Sequence, residues 1–261
     1  MNYRLGAFGW LGGDRFYGDG GLANLGLQDQ LFALEWVKEN IEAFGGDPAR
    51  KVVCWCSSGR EYSLTENRVT VMGQSAGASS ILHHITANSN PPAFQSAIIQ
   101  SPGFFPQPNQ TKEDETYEEF LSLTGANNLE ELWEADTEVL IQANADMTYN
   151  SSYGLFRFGP TIDGFYVTDL PGKKLREGSH HANIKLLLGH TKFDGVLFTP
   201  PWIRSNQQLE SHVKTMFPGI SEPVLGDMTD MYPIGRIAYA KEKLLDVADF
   251  LDVRTSWDGD C

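Results

Sequence analysis

The sequence has few cysteines, a deficit of positive charge and no long apolar run. Its 261 residues include 3 cysteines, and 20 lysines and arginines stand against 34 aspartates and glutamates, for a net charge of −14. Three cysteines cannot build a disulfide framework, and the acidic balance disfavours nucleic acid and anionic membrane surfaces as partners. No apolar run approaches the roughly 20 residues of a transmembrane helix. With 41% hydrophobic residues, the chain is nevertheless long enough to bury one sizeable core.

The cysteines and the amino terminus carry no further functional signal. Cys54 and Cys56 lack neighbouring ligands for a metal ion, so we interpret them as unpaired thiols and predict neither a metal nor an organic cofactor. No charged and then apolar leader follows Met1, so no secretory signal is predicted. Localisation and oligomeric state stay open at this point.

The most informative pattern lies between residues 68 and 81. A run rich in β-branched residues leads into Gly73-Gln74-Ser75-Ala76-Gly77, and a helix-forming stretch follows. A serine alcohol is a poor nucleophile, so hydrolases hold it on a sharp strand-to-helix turn, where a base and backbone amides can reach it. A chance Gly-x-Ser-x-Gly arises in such a chain with probability of roughly 0.2, so the flanking strand and helix carry the identification. The pattern predicts a nucleophile elbow.

Each residue of this pentapeptide has a predicted role. Ser75 is the nucleophile, and the alternative for it is a surface serine at a helix amino terminus. The backbone amide of Ala76, the residue after the nucleophile, is the oxyanion donor. Gly73 and Gly77 remove Cβ atoms where the strand and the helix nearly touch, and Gln74 completes the turn.

Periodicity along the rest of the chain predicts an α/β fold. Apolar residues recur every three or four positions in one helix that packs against a sheet: Leu27, Leu31, Leu34, Val37, Ile41 and Phe44. Short apolar runs at Val69–Met72, Ala97–Ile99 and Ile184–Leu188 are typical of parallel strands covered on both faces. Residues 111–146 are acidic and helical, with an apolar face at Leu129, Leu132, Trp133 and residues 139–141.

Three ordered blocks resemble the type B carboxylesterase and cholinesterase-like lipase family. They are Asn2–Pro48, Arg68–Gln100 and Phe158–Phe198, the last containing Phe-Gly-Pro-Thr-Ile-Asp-Gly. The resemblance implies a three-layer α/β-hydrolase with a mostly parallel central sheet, incomplete at both ends, so that residues 1–261 form one partial domain of a fungal-type fragment. It also implies hydrolysis of a small-molecule or lipid carboxylic ester without a cofactor. The alternative is a non-catalytic adhesion protein or pseudoenzyme of the same family.

The family pattern assigns the triad acid but finds no histidine. The acid is Asp194, where most relatives carry glutamate. The expected order is nucleophile, acid, histidine, and each imidazole in the chain is placed unsuitably for the base: His83, His84, His180, His181, His190 and His212. The upstream oxyanion glycines are absent too, since Gly18-Asp-Gly20-Gly21 follows the Asn2-Tyr3-Arg4 block. We therefore expect a poorly soluble and nearly inactive fragment.

Residues 51–67 interrupt the family pattern between Arg50 and Arg68. We interpret this segment as a translated, retained intron, and the alternative is a tolerated surface loop, because lengthening a loop adds little closure entropy.

Transcript sequencing tests the intron interpretation. We expect the mature message to lack the codons for residues 51–67, because the flanking segments then join into an uninterrupted family pattern. A mature message that retains these codons contradicts the interpretation and favours a surface loop.

Overall fold

A computed structural model describes residues 1–46, 50–55, 68–88, 94–103, 110–191, 194–217 and 219–231. These residues divide into two compact units. The first contains the β-sheet and the helices up to Gly189; the second holds Gly103, residues 152–155 and the residues from His190 onward.

Helices and strands are interspersed along the described residues. The described helices are α1 (Ala7–Trp10), α2 (Asp14–Gly18), α3 (Leu25–Asn40), α4 (Ala76–Thr86), α5 (Gln110–Thr124), α6 (Leu129–Glu134), α7 (Thr137–Tyr149), α8 (Pro171–Arg176), α9 (Asn206–Met216) and α10 (Glu222–Met231). The strands are β1 (Arg50–Trp55), β2 (Arg68–Ser75), β3 (Ser96–Pro102) and β4 (Lys185–Gly189), and short 3-10 turns form at Ile41–Phe44 and Asp194–Leu197.

The sheet is parallel and its strands lie in chain order, β1-β2-β3-β4. Val71 of β2 pairs with Ala97 of β3, which pairs with Leu186 of β4. Parallel neighbours require a crossover connection, and α4, which packs on β2 and β3, lies in the crossover between them. The β2-α4-β3 unit thus confirms the predicted α/β organisation.

The predicted strands are confirmed, but coverage on both faces holds only for the inner ones. Val71 and Ile99 are fully buried, whereas every residue of β4 is exposed. Among the described residues no further strand pairs with β4, and the side chains of its three leucines, Leu186, Leu187 and Leu188, are between 41% and 65% exposed. The two-sided coverage predicted for 184–188 is therefore wrong here, because coverage depends on what packs against the strand. An open apolar edge favours association.

The helix predicted from the apolar positions between Leu27 and Phe44 is confirmed as α3, but its apolar face is buried only in part. Leu27 and Leu34 of α3 are buried, but Phe44 is 71% exposed. The stripe fails at its end because the helix tightens into a 3-10 turn, whose three residues per turn rotate side chains out of the 3.6-residue phase. The helix packs on α1, and its Gln30 reaches α4, so its neighbours in the core include helices.

The acidic segment is helical, as predicted, and forms α5, α6 and α7. Its buried residues join Ala7, Leu11 and Phe16 in one cluster: Tyr117, Phe120, Leu121, Leu129, Leu132, Ala143 and Met147. The prediction is wrong for Trp133, Val139 and Ile141, which are exposed. Separate side-chain caps begin α6 and α7, where Asn128 accepts from Glu131 N and Asp136 accepts from Glu138 N, so each helix sets its own buried face.

The second unit has a small core of its own. Helices α9 and α10 enclose a cluster of apolar side chains: Ile203, Leu209, Val213, Leu225 and Met228. The hydroxyl of Ser205 caps α9 by accepting from Gln208 N at 3.3 Å. Throughout the described ranges, no helix combines the length and apolarity of a bilayer span.

The proposed insertion overlaps a strand. Residues 51–55 lie in β1, which pairs with β2, while residues 56–67, with Cys56, fall outside the described residues, as does Cys261. The intron interpretation of 51–67 stays a prediction.

One carboxyl group is buried in the interior of the first unit. Glu113, on α5, is 3% exposed. Its carboxyl group lies close to Gly12, as does Thr161: a Cβ added to Gly12 would lie 3.0 Å from Glu113 Oε2 and 2.8 Å from Thr161 Cγ2. Burial raises the pKa of Glu113 to about 8, against the opposing effect of the Arg157 cation. Glu113 is therefore mainly protonated at neutral pH.

This burial predicts a pH-dependent stability. Because the folded pKa is raised, the native state keeps a proton that the unfolded chain releases above about 4.5, so the contribution of Glu113 to the unfolding free energy falls as pH rises from about 4.5 to about 8. Urea unfolding followed by circular dichroism at pH 5.5 and 8.5 measures it. Between these two pH values, we expect Glu113→Gln to lose on the order of 3 kcal/mol less unfolding free energy than the wild type.

The matched control is Glu130→Gln, which alters an exposed glutamate. It should leave the pH dependence unchanged. The same pH dependence in wild type and Glu113→Gln would show that the carboxyl does not titrate as a buried group.

Candidate active site

A strained serine lies at the junction of β2 and α4. The strand ends at Ser75 and the helix begins at Ala76, with no residue between them. Ser75 has φ 56° and ψ −122°, a backbone conformation that residues with a Cβ adopt only at a cost in free energy. Its register against β3 shifts after Gln74, so that Ser75 lies opposite Pro102. The junction is thus the strand, sharp turn and helix expected of the elbow.

The turn depends on a close approach of two backbones. A Cβ on Gly73 would lie 2.5 Å from the carbonyl carbon and oxygen of Gly77. Real Cβ atoms do not approach backbone atoms so closely, so this position requires glycine. The predicted clearance between strand and helix is confirmed at Gly73.

The junction is accessible from outside the first unit. Ser75 is half-buried between Gln74 and Ala76, which are both exposed. It lies at the carboxyl end of its strand, the edge where open α/β sheets bind ligands. Ser101, at the same end of β3, is a second residue with positive φ, at 46°, and the sequence carried no signal for it.

Helix α4, behind the serine, is buried along its length. Every residue from Gly77 to Thr86 is buried, including the polar ones. Burial lowers the pKa of His83 to about 4 and that of His84 to about 3, so both imidazoles are neutral. His83 Nδ1 contacts Ser79 O at 2.8 Å. The prediction that these two histidines pack in the core is confirmed.

His84 belongs to a chain of hydrogen bonds through the core. Its Nδ1 lies 2.5 Å from the Tyr166 hydroxyl and its Nε2 lies 3.0 Å from Gln30 Oε1. Gln30 Nε2 donates to Ser80 Oγ at 3.1 Å, and Ser80 Oγ donates to Ala76 O at 2.9 Å. The chain links the Tyr166 segment to the residue after Ser75.

Asp163 and Asn24 order the segment that carries Tyr166. Asp163 Oδ1 accepts from three successive backbone N–H groups, those of Phe165, Tyr166 and Val167, at 2.8, 2.8 and 2.9 Å. Asn24, fully buried and at φ 56°, donates to Asp163 Oδ2 at 2.7 Å and to Thr161 O at 2.9 Å. Sequence reasoning noted this block only as a family resemblance, because its partners are distant along the chain.

The predicted acid lies in the second unit. Asp194 begins the 3-10 turn at Asp194–Leu197, five residues after β4, and accepts hydrogen bonds from the backbone N–H and hydroxyl of Thr191. His190, in the same unit, contacts Thr191 O at 3.0 Å through Nδ1 and is exposed. Asp194 as triad acid stays a prediction.

The remaining three histidines are His180, His181 and His212. His180 is exposed, and His181, in the first unit, donates its backbone N–H to Ile85 O at 3.0 Å. His212 lies within α9 of the second unit, where burial lowers its pKa. In the ranges that the structure describes, no three His, Cys, Asp or Glu side chains are arranged to hold a metal ion.

The parallel sheet and the strained serine between strand and helix define an α/β-hydrolase. Comparison with known proteins then gives the family. The chain belongs to the carboxylesterase family, whose model matches residues 1–59 and 65–227. That match leaves out residues 60–64, which lie inside the proposed insertion.

Individual relatives extend this result. The chain is 35% identical over 227 residues to carboxylesterase patB of Penicillium expansum, covering 86% of this chain and 37% of that protein. It is 33% identical over 244 residues to para-nitrobenzyl esterase of Bacillus subtilis strain 168, covering 89% of this chain and 44% of that protein. A solved PNB esterase superposes with a TM-score of 0.75 at 30% identity, covering 97% of this chain and 50% of that one. The chain thus spans less than half the length of these curated relatives.

The contact at Gly73 predicts the effect of one added methyl group. Gly73→Ala should lower the unfolding free energy by about 1–3 kcal/mol or more, because the new Cβ must displace the backbone of α4. Urea unfolding measures the change. Gly172→Ala is the control, since nothing lies within 4 Å of its new Cβ, and equal stability of the two variants would contradict the close approach.

Proposed function

We propose that Ser75 is the nucleophile of a carboxylic ester hydrolase and that the backbone N–H of Ala76 donates to the oxyanion. The observation that carries the proposal is the strained Ser75 at the carboxyl end of β2, half-buried and directly before α4. Strained backbone of this kind is concentrated at functional sites. Membership of a family that contains esterases supports the same chemistry.

Where a histidine base is present, the proposed reaction has two steps. Ser75 Oγ attacks the carbonyl carbon of the ester while a histidine base takes its proton, and the Ala76 N–H stabilises the charge on the carbonyl oxygen. The alcohol leaves with the returned proton, and an acyl group stays on Ser75. Water then attacks the acyl-enzyme and releases the acid. Asp194 is the proposed acid that orients the histidine and stabilises its protonated form.

We further propose that the base is absent from this chain. His83 and His84 are buried and bonded within the core, and His180, His181 and His190 precede the proposed acid. His212 follows the acid by 18 residues but lies within α9. Removing a triad member leaves about 10³–10⁴-fold acceleration over water. The chain by itself should therefore react slowly at Ser75 and turn over esters poorly.

Covalent labelling tests the nucleophile. The chain is incubated with a fluorophosphonate for hours and analysed by intact-mass spectrometry and peptide mapping. We expect a slow, single adduct on Ser75, because an oxyanion donor next to the hydroxyl retains residual acceleration. Ser75→Ala should give no adduct, and Ser179→Ala, which alters an exposed serine, should label like the wild type.

Two results would contradict parts of the proposal. A wild-type chain that forms no adduct indicates a non-catalytic member of the family. Rapid hydrolysis of p-nitrophenyl acetate that Ser75→Ala abolishes would show that the chain does contain its base, against the proposed absence.

A further inference from the structure

The side chains of Tyr166, His84, Gln30 and Ser80 form one continuous path of hydrogen bonds that ends next to Ser75. All four are buried, and all belong to the first unit. The path crosses from the Asp163 turn through α4 and α3 and returns to the first turn of α4 at Ala76 O. It thus joins three segments that are distant in the sequence.

The direction of the hydrogen bonds follows from the protonation state of His84. A neutral imidazole has one N–H and one lone pair. Gln30 Oε1 faces His84 Nε2, so Nε2 carries the proton and donates to this oxygen. His84 Nδ1 then has the lone pair and accepts from the Tyr166 hydroxyl. Gln30 Nε2 then donates to Ser80, whose proton goes to Ala76 O. The reverse orientation would leave the Tyr166 hydroxyl proton without an acceptor among the described residues.

The end of this path bears on the strained turn. Ala76 O belongs to the first turn of α4, one peptide beyond the N–H that we assign to the oxyanion. The φ of 56° at Ser75 persists only if its surroundings over-determine it. Ser80 fixes Ala76 O from inside the helix, and Gln30 fixes the Ser80 hydroxyl from α3.

We propose that Ser80, Gln30, His84 and Tyr166 are positioning residues that hold the Ser75–Gly77 turn in its reactive geometry. The catalytic part of this inference rests on the proposed role of Ser75, but the mechanical part does not. None of the four touches the ester; they act through the backbone of Ala76. The direction of the chain requires His84 to carry its proton on Nε2.

Nuclear magnetic resonance tests the mechanical part without any catalysis. In the wild type, ¹⁵N shifts should show His84 as the neutral Nε2–H tautomer, and amide order parameters near Ser75–Gly77 should be about 0.85. In Ser80→Ala and Tyr166→Phe, each of which removes one link, the order parameters should fall towards about 0.6. The control is Thr86→Val, which removes a similar bond, to Leu82 O, at the far end of α4.

Labelling kinetics test the catalytic part. Both variants should lower the maximal rate of fluorophosphonate reaction at Ser75 by about tenfold, with the concentration for half-maximal rate unchanged, because misplacement affects the reacting geometry. Thr86→Val should react like the wild type. A lower maximal rate with an unchanged half-maximal concentration indicates a positioning effect. Urea unfolding, measured in parallel, shows whether the variants are also less stable overall.

The outcomes are distinguishable. Unchanged order parameters at Ser75–Gly77 in both variants, or an Nδ1–H tautomer of His84, overturn the inference whatever Ser75 does. A second outcome combines lowered order parameters at Ser75–Gly77 in the two variants with no fluorophosphonate adduct in the variants or in the wild type. That outcome supports the mechanical part and rejects the proposed function. If Thr86→Val lowers the order parameters and the labelling rate as much as Ser80→Ala does, the hydrogen bonds of the path contribute no more than ordinary core packing, and the inference is wrong.

Discussion

The close approach of the Gly73 and Gly77 backbones is the constraint on which the rest of the site depends. A strand can pass into a helix at a single residue only if the two elements nearly touch, and a Cβ at Gly73 would prevent this. The approach leaves Ser75 with a positive φ and places it half-exposed at the carboxyl edge of the sheet. Strain of this kind must be offset by favourable packing nearby.

Helix α4 supplies that packing, and polar groups give it a defined position. A wholly apolar helix can shift along its neighbours at little cost, whereas buried hydrogen-bonding groups require particular partners. Gln30 of α3 bonds both Ser80 and His84, and His84 also bonds Tyr166. The helix that follows the serine is therefore fixed in rotation and translation by bonds that a shift would break.

The Asp163 turn extends this ordering to a third segment. Its carboxylate gathers three backbone N–H groups, and Asn24 joins it to the start of α3. The block around Asp163 thus has a structural role in presenting Tyr166 to the core. The proposed acid Asp194 differs, since its carboxylate is bonded locally to Thr191 and belongs to the second unit.

The sequence by itself determined the features that depend on near neighbours. These are the strands, the helices, and the tight turn at Ser75, because a period or a glycine two residues away suffices to specify each. Only the tertiary structure decided which side chains meet and which stay exposed. Asn24 and Asp163 are 139 residues apart, and His84 and Tyr166 are 82 apart, so no local pattern marks them as partners. Phe44, Trp133 and the leucines of β4 are apolar by sequence yet exposed, because burial is a property of what packs against a residue.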